Sequence, residues 1–516
     1  MGTLHTNEGW RVSSKSLHHG SVGQNLEGNE MRTRLVNSSI IASATAVVAV
    51  LWVMLATVPK TSAIPAFSRK YQTSCTTCHN NYPELNDFGE AFKKNGFKFP
   101  KDDEVFVKEP PVLLGSKAQK EAFPGAVYPG EIPGYLPIAF RYEGSFTLNR
   151  KQPPGVIAQN GFTPRTDLFA PNTFTIISAG SFGQNLSFWI DDDISVGAAN
   201  ANGFMGDGWL KYSDLGHGIG LPKNALNVRF GQFELDLPFT QARSIYLSPF
   251  DIYNETAVAG PLGTTNNATI FGSPQRGIEF GGTPNNGNFD WSVAVTNGSN
   301  VGTTTRSSKD VYVRLSQKFN LERDAESRNA IQAAGPTGPR DHTSLRAGFL
   351  YYYGKNQQNQ DGLLFPGLAT IEEPFYRVGG DLRFKYRKLE MYGLGMFGHD
   401  DNHVVTPGAP PTIATAPAVK FSGGFAGANY WFYPWLIGTF HYDAVNSHVD
   451  FLNGTPASEH QTRNRFSPGF QVLVRANIKV VGEYQYTFGH PYTDLVTGNT
   501  LFFRPNTFQA GIDYVF

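Results

Sequence analysis

Apolar and polar side chains alternate along the stretch Leu136-Pro137-Ile138-Ala139-Phe140-Arg141-Tyr142-Glu143-Gly144-Ser145-Phe146-Thr147-Leu148. Because successive side chains of a β-strand point to opposite faces of a sheet, this period of two predicts a strand with one apolar and one polar face. The predicted apolar face carries Leu136, Ile138, Phe140, Tyr142, Phe146 and Leu148. The predicted polar face carries Arg141, Glu143, Ser145 and Thr147.

Similar runs recur along the rest of the chain, separated by Gly, Pro, Asn and Asp, the residues typical of turns. They begin near Pro171, Asn185, Phe204, Ala225, Arg276, Phe289, Asp310, Ser344, Tyr376, Leu389, Val419, Trp435, Arg463, Asn477 and Asn506. With the first run they make sixteen predicted strands, an even number.

The connections between these runs favour a membrane barrel over a soluble β-sandwich, which the alternation alone also permits. Short connections are predicted near Gly183, Arg387-Lys388, Tyr433-Pro434 and Ala476. They alternate with long ones near 149–170, 234–275, 354–374, 399–418, 446–462 and 489–505, whereas the connection at 320–343 breaks the rule by being long. Outer-membrane barrels have short turns at one end and long loops at the other.

Polar faces and the final strand agree with the same interpretation. A wet lumen suits Arg377, Asp381, Arg383 and Lys385 in one run and Lys479, Glu483 and Gln485 in another. The chain ends on an alternating strand, 509–516, with a terminal aromatic residue. We therefore predict an all-β fold, a transmembrane outer-membrane β-barrel of about 16 antiparallel strands over residues 135–516.

Composition excludes several other classes of protein. The 516 residues contain 43 Lys+Arg and 43 Asp+Glu, and the absence of net charge argues against nucleic acid as a partner. Charged residues make up 17%, against roughly 25% in an ordinary soluble domain. Gly and Pro number 55 and 33, which suits strands and turns better than a helical bundle. Only two cysteines are present, so a disulfide-stapled scaffold is excluded.

Residues 1–63 are predicted to be an N-terminal extension and an export signal that is removed. The basic segment Met31-Arg32-Thr33-Arg34 precedes an apolar stretch from Ile40 to Val58, and the small residues Thr61-Ser62-Ala63 suit cleavage after Ala63. The alternative is a retained membrane anchor, since the apolar stretch is nearly long enough to span a bilayer.

The two cysteines lie in Ser74-Cys75-Thr76-Thr77-Cys78-His79. Two cysteines separated by two residues and followed at once by histidine match the attachment site of c-type haem. In such a site Cys75 and Cys78 form thioether links to the haem, and His79 binds the iron axially. A redox dithiol and half of a zinc site are the alternatives, but no second pair of zinc ligands lies nearby. We predict one covalently attached haem c, in a module over 64–134.

The second axial ligand of that iron cannot come from a methionine or a second histidine of residues 64–134, because this segment contains neither. Asn80, Tyr82 or a lysine could bind weakly, the iron could be five-coordinate, or the barrel could supply the ligand. His441 is the best candidate in the barrel, since the parity of its strand turns Ile437, Thr439, His441 and Asp443 inward. Met391 is predicted to have the same inward parity.

The motif and its surroundings resemble the N-terminal module of fused monohaem cytochrome–porins, a family best known as outer-membrane iron oxidases. The similar residues are Ala63-Ile64-Pro65-Ala66-Phe67-Ser68-Arg69, Cys75-Thr76-Thr77-Cys78-His79 and the stretch from Pro83 to Phe97. The resemblance implies a cytochrome lodged in the barrel, passing electrons between an extracellular donor such as Fe(II) and a periplasmic cytochrome or copper protein. Phe88, Phe92 and Phe97 could pack on the porphyrin or form the core of the module.

Three functional hypotheses follow. The first is electron transfer through the outer membrane, with Fe(II) oxidation as the leading reaction. The second is a solute porin whose haem stabilises a plug or senses redox state, and the third is electron export to an external acceptor. Two acidic clusters, Asp191-Asp192-Asp193 and His399-Asp400-Asp401-Asn402-His403, are predicted in outer loops where they could attract divalent cations. The segment from Glu234 to Asn254 is predicted to fold inward as a constriction.

Overall fold

A computed structural model describes residues 65–99, 103–126, 130–151, 164–183, 185–194, 206–240, 245–254, 272, 274–284, 288–298, 308–321, 343–358, 367–406, 412–447, 451–452, 455–456, 461–488 and 506–516. The predicted export signal at 1–63 lies outside these residues. Within the described residues, no helix combines the length and apolar character that crossing a membrane requires.

Sixteen antiparallel strands close into one barrel. They are β5 (Ile138–Asn149), β6 (Thr166–Phe182), β7 (Leu186–Ile194), β8 (Gly208–Tyr212), β9 (Asn227–Phe233), β10 (Gln275–Gly282), β11 (Phe289–Thr296), β12 (Asp310–Asn320), β13 (Ser344–Gln358), β14 (Ile371–Tyr386), β15 (Leu389–Thr406), β16 (Thr412–Tyr433), β17 (Leu436–Ser447), β20 (Gln461–Arg475), β21 (Ile478–Phe488) and β22 (Thr507–Val515). Each strand pairs with the next one in this order, and β22 closes the barrel on β5. The predicted all-β barrel of sixteen antiparallel strands is confirmed.

The two faces of the barrel wall differ as the alternation predicts. Outward side chains such as Phe230 and Leu382 are 67% and 56% exposed, whereas Asp381, the neighbour of Leu382, is 4% exposed. Inward charges pair across neighbouring strands, as Arg229 does with Glu279 at 2.6 Å. An apolar exterior around a charged, paired interior is typical of a transmembrane barrel.

The predicted connections are confirmed at one end of the barrel and partly wrong at the other. Strands end at Phe182, Tyr386, Tyr433 and Arg475, and the next strand begins within four residues. The predicted long connection at 399–418 is mostly strand, because β15 and β16 stay paired out to Thr406 and Thr412. Asn320 pairs directly with Ser344, so the strands before and after the long connection at 320–343 are neighbours in the barrel.

Residues 65–134 form short elements that precede the barrel. The helices are α1 (Ala66–Tyr71), α2 (Asp87–Lys94), α3 (Asp103–Phe106) and α4 (Lys117–Ala122), and Cys75–Thr77 form one 3-10 turn. The strands are β1 (His79–Asn81) paired with β2 (Glu84–Leu85), and β3 (Val112–Leu113) paired with β4 (Glu131–Ile132). Tyr71, Phe92 and Phe97 share one hydrophobic core with barrel residues. Residues on the two sides of the predicted boundary at 134, between the module and the barrel, therefore share one hydrophobic core.

A second segment enters the lumen between β9 and β10, as predicted. Leu235, Leu237, Ile245, Phe250 and Ile252 are each at most 2% exposed. A short helix, α5 (Asp251–Asn254), packs against β16 and β17. A small outer pair, β18 (Phe451–Leu452) with β19 (Thr455–Pro456), completes the described strands. We call residues 234–240 and 245–254 the inward segment.

Candidate functional site

The segment that carries both cysteines is held against the start of α2 by one side chain. Asn86 caps this helix, accepting a hydrogen bond from the Gly89 amide at 2.8 Å. The Asn86 side chain also donates to the Thr77 carbonyl at 3.0 Å, and its backbone amide donates to the Cys78 carbonyl at 2.9 Å. Asparagine suits this position because its amide can accept and donate at once.

The approach of α2 to the motif is close enough to require glycine. A Cβ atom at Gly89 would lie 2.0 Å from the Cys78 carbonyl oxygen. That distance is far inside van der Waals contact, so the helix backbone and the motif backbone lie directly against each other. Gly89 therefore allows the helix to pack directly on the segment that carries the two cysteines.

His79 presents the chemistry expected of an axial iron ligand. Its Nδ1 lies 3.2 Å from the Pro83 carbonyl oxygen, which can only accept, so Nδ1 carries the proton and Nε2 keeps its lone pair. Burial lowers the pKa of His79 to about 4, so the ring is neutral at ordinary pH. A histidine oriented through its second nitrogen is the usual arrangement at protein metal sites.

Cys75 and Cys78 are not joined by a disulfide. Burial raises the pKa of both thiols, that of Cys78 to about 12. Redox-active dithiols have thiol pKa values below the ordinary one, so the pair differs from a thioredoxin-like site. Among the residues that the structure describes, no three His, Cys, Asp or Glu side chains are arranged to hold a metal ion.

Cys75, Cys78 and His79 line a cavity of about 730 Å³ inside the barrel. That volume lies within the roughly 300–1,000 Å³ of cofactor pockets. Two buried polar atoms in its lining, the indole nitrogen of Trp209 and the hydroxyl of Thr240, have no hydrogen-bond partner among the described residues. The volume, the two thiols and the available Nε2 fit a c-type haem attached at Cys75 and Cys78, with His79 on its iron.

Aromatic rings form much of the wall around this cavity. Phe97 stacks on Phe67 with ring centres 4.7 Å apart and packs on Trp189 and Trp209 of the barrel at 5.8 Å. Phe92 and Phe97 line the cavity, while Phe88 packs on Phe99 and is absent from the lining. The predicted packing role therefore fits Phe92 and Phe97.

Barrel charges hold residues 65–99 inside the lumen. Asp87 of α2 lies between the ammonium groups of Lys318 and Lys385, and Glu84 pairs with Arg383. Lys94, at the end of α2, pairs with Asp290. Burial alone would raise the pKa of Asp87, but Lys385 and Lys318 hold it well below its ordinary value. These contacts come from three strands in one part of the barrel wall, β11, β12 and β14.

Replacing Asp87 by asparagine should weaken this attachment by about 3 kcal/mol at pH 7, because it leaves Lys318 and Lys385 buried without their carboxylate. In the wild type the stabilisation should be complete above about pH 4, the pKa of an unfolded aspartate, and be lost as the pH falls through the lower folded-state pKa. Urea titrations followed by tryptophan fluorescence, measured from pH 7 to pH 2, test both, because Trp189 and Trp209 of the barrel pack on Phe97. Glu104→Gln, which changes an exposed carboxylate, is the control. Equal urea sensitivity of Asp87→Asn and the wild type would contradict the prediction.

His441 faces inward as predicted, and it is fully buried. Its Nε2 lies 3.2 Å from the Ser248 hydroxyl, and its ring packs edge-on against Tyr246 at 4.4 Å. Tyr246 and Phe250 line the cavity, whereas His441 lies behind them. The structure therefore does not bring His441 to the cavity of His79, and its role as a distal ligand is not supported by this arrangement.

The other candidate distal ligands differ in whether their side chains face the cavity. Met391 is 43% exposed and faces outward, so its predicted inward parity is wrong; Glu390 and Tyr392 beside it are the inward residues. Asn80 is buried and donates to Glu84, and Tyr82 lines the cavity next to the His79 ring. Among the described residues that line the cavity there is no methionine and no second histidine.

Both predicted acidic loop clusters lie in strands, so each is divided between two faces. Asp191 and Asp193 of β7 line the cavity, and Asp192 between them does not. Asp400 of β15 is buried against Arg377, while His399 pairs with Asp401 at 3.0 Å. Neighbouring side chains of a strand cannot converge on one ion, because they point to opposite faces.

Several residues that complete the site could not be assigned to it from the sequence. Arg141, Lys479 and Asp513 line the cavity beside His79, yet they lie on three different strands. Their inward parity could be predicted from the alternation. Their proximity to His79 could not, because it depends on which strands close the barrel.

No protein-family model matches this chain, and no curated protein matches it. Solved structures that are similar in fold include the outer membrane channel DcaP of Acinetobacter baumannii, with 15% identity over 73% of this chain and 96% of that one, at a TM-score of 0.43. The anion-selective porin from Comamonas acidovorans has 12% identity over 73% and 98%, at 0.46. OmpF of Salmonella typhi has 11% identity over 74% and 98%, at 0.44. Similarities at this level of identity and TM-score assign no function to this chain. The barrel is established by the pairing of this chain's own strands.

Proposed function

We propose that this chain is an outer-membrane electron-transfer protein of the fused monohaem cytochrome–porin kind, with one haem c held in its barrel. The observation that carries the proposal is the cavity inside the lumen that is lined by Cys75, Cys78 and a neutral His79. When bound, the haem supplies a one-electron couple. Cys75 and Cys78 would hold it covalently, and His79 Nε2 would bind its iron.

The outer membrane is the location that the barrel favours. A closed barrel leaves no unpaired strand edge, and its exposed side chains are apolar around the wall, which suits a lipid environment. The hydrocarbon core of a bilayer, about 30 Å thick, is a barrier to electrons. A haem inside the barrel shortens the distance that an electron must cross, and the export signal predicted at 1–63 is consistent with this location.

The content of the lumen favours electron transfer over solute transport. Residues 65–99 occupy part of it, and the inward segment fills another part with a dry core that includes Phe250, Ile252 and Tyr253. Phe250 stacks on Phe425 of the barrel wall with ring centres 3.8 Å apart. A solute porin with a haem-stabilised or redox-sensing plug remains the second candidate, because a plug that moved would open a path.

The charge of the cavity wall favours a cationic electron donor. Among the described residues that line the cavity there are six carboxylates and three cations. The carboxylates are those of Glu143, Asp191, Asp193, Asp207, Glu234 and Asp513, and the cations are Lys93, Arg141 and Lys479. A cleft lined by an excess of one sign concentrates ions of the opposite sign. We therefore retain Fe(II) as the leading donor, with a periplasmic cytochrome or copper protein as acceptor, an Fe(II):cytochrome c oxidoreductase reaction. Electron export to an external acceptor would use the same residues in reverse.

Stopped-flow spectroscopy of the purified, detergent-solubilised protein tests the donor. We expect Fe(II) to produce the spectrum of reduced haem, and we expect the double variant Asp191→Asn/Asp193→Asn to slow this reduction by about tenfold, the lower end of electrostatic steering. Asp192→Asn, on the same strand but outside the cavity lining, is the matched control. No haem reduction by Fe(II) over a range of pH would refute iron oxidation.

Liposome swelling tests the porin alternative with the same preparation. Because residues 65–99 and the inward segment both occupy the lumen, we expect vesicles that contain the wild-type protein to swell no faster in sugar solutions than empty vesicles. Swelling comparable to that produced by a general porin would favour solute transport instead.

A further inference from the structure

Four charged side chains of the barrel wall surround the turn that carries His79. Lys479 of β21 pairs with Asp513 of β22 at 3.2 Å. Arg141 of β5 pairs with the same carboxylate at 2.9 Å and with Glu143. All four residues line the cavity. Their charges cancel, so the group is neutral as a whole although each member is a fixed charge close to the cavity.

Lys479 also contacts the turn itself. Its ammonium donates a hydrogen bond to the Tyr82 carbonyl oxygen at 2.6 Å. The next carbonyl along the chain, that of Pro83, accepts the hydrogen bond from His79 Nδ1. The Tyr82 ring packs edge-on against the His79 ring at 5.1 Å, and the Arg141 guanidinium lies 5.3 Å over that tyrosine ring. Lys479 of the barrel wall therefore fixes the Tyr82 carbonyl, and the adjacent Pro83 carbonyl orients the His79 imidazole.

We propose that Lys479 is a positioning residue for His79 and that the Lys479–Asp513 pair sets the reduction potential of the haem iron. This inference rests on the proposed function. It assigns to the barrel, and not to residues 64–134 alone, a part in determining the properties of the iron site.

The sign of the electrostatic effect follows from Coulomb's law. Oxidised haem carries one more positive charge than reduced haem, so a nearby cation favours the reduced state and a nearby anion favours the oxidised state. Lys479 and Asp513 are 5% and 6% exposed, so water screens them little. Removing the Lys479 charge leaves the group with an uncompensated carboxylate and should lower the potential. Removing the Asp513 charge leaves an uncompensated cation and should raise it.

Spectroelectrochemical titration of the haem-loaded protein is the experiment. At a fixed ambient potential, Lys479→Gln should lower the ratio of reduced to oxidised haem by about tenfold, the order of magnitude that Coulomb's law gives for one poorly screened charge near the iron. Asp513→Asn should raise the ratio by a similar factor. Lys479→Arg keeps the charge and should restore the wild-type ratio, and Lys355→Gln, in a surface pair with Glu372, is the matched control.

The opposite directions distinguish electrostatics from loss of structure, since a damaged site would move both variants the same way. Unchanged potentials in haem-loaded Lys479→Gln and Asp513→Asn, or shifts in one direction in both, would overturn the inference. If Lys479→Gln does not fold, the Asp513→Asn and Lys479→Arg results still decide it. Wild-type protein without covalent haem would overturn the proposed function and this inference with it, whereas haem-loaded variants with unchanged potentials would overturn the inference alone.

Discussion

Replacing Cys75 and Cys78 together by alanine is expected to remove all covalently bound haem, from one per chain to none. The two thiols are the only ones in the sequence, and both line the cavity beside His79. Without thioether links, haem could be held only by His79 and the apolar wall, and denaturation would release it. Haem staining of a denaturing gel, together with the absorbance of the haem in alkaline pyridine, measures the loss directly.

Thr76→Ala is the matched control for this experiment, because Thr76 lies between the two cysteines and its hydroxyl donates a hydrogen bond to the side chain of the exposed Ser74. We expect this variant to keep its haem. We also expect the double cysteine variant to keep its barrel, since the strands pair independently of the motif. Full haem retention after both cysteines are removed would exclude a c-type site.

Gly89→Val is expected to destabilise the packing of residues 65–99 by about 3 kcal/mol or more, at the upper end of the cost of overpacking. The added Cβ would meet the Cys78 carbonyl oxygen at 2.0 Å and the Leu85 side chain at 2.9 Å. Relief requires α2 to move away from the motif, which would break the Asn86 hydrogen bonds to Thr77 and Cys78. The His79 side chain would then lose its fixed position.

A urea titration followed by tryptophan fluorescence measures this effect, because Trp189 and Trp209 pack on Phe97. Gly125→Ala is the control, since a Cβ atom there meets nothing within 4 Å. The Gly89 variant should also bind less haem or show an altered haem spectrum. A Gly89→Val protein with the urea midpoint and the haem spectrum of the wild type would show that the close contact is unimportant.

Most of the barrel could be predicted because its signal is local. A strand between lipid and a wet lumen repeats every two residues, so short segments such as 136–148 already show which face is which. Two predictions were wrong, the inward direction of Met391 and the end of β15. Both depend on how neighbouring strands pair as well as on the residues of a short segment. Met391 lies beside the inward Glu390 and Tyr392, and β15 continues eight residues beyond Gly398 because β16 remains paired with it.

The sequence by itself determined the Cys75-Thr76-Thr77-Cys78-His79 motif, the number of strands and the inward faces of residues such as His441 and Lys479. Covalent neighbours and a period of two carry that information, so it does not depend on where the strands finally lie. Only the tertiary structure decided that Lys479 reaches the Tyr82 carbonyl, 397 residues away along the chain, and that Tyr246 and Phe250 separate His441 from the cavity. The physical reason is that closure of the barrel, and the segment folded into it, bring together side chains whose distance along the chain bears no relation to their distance in space.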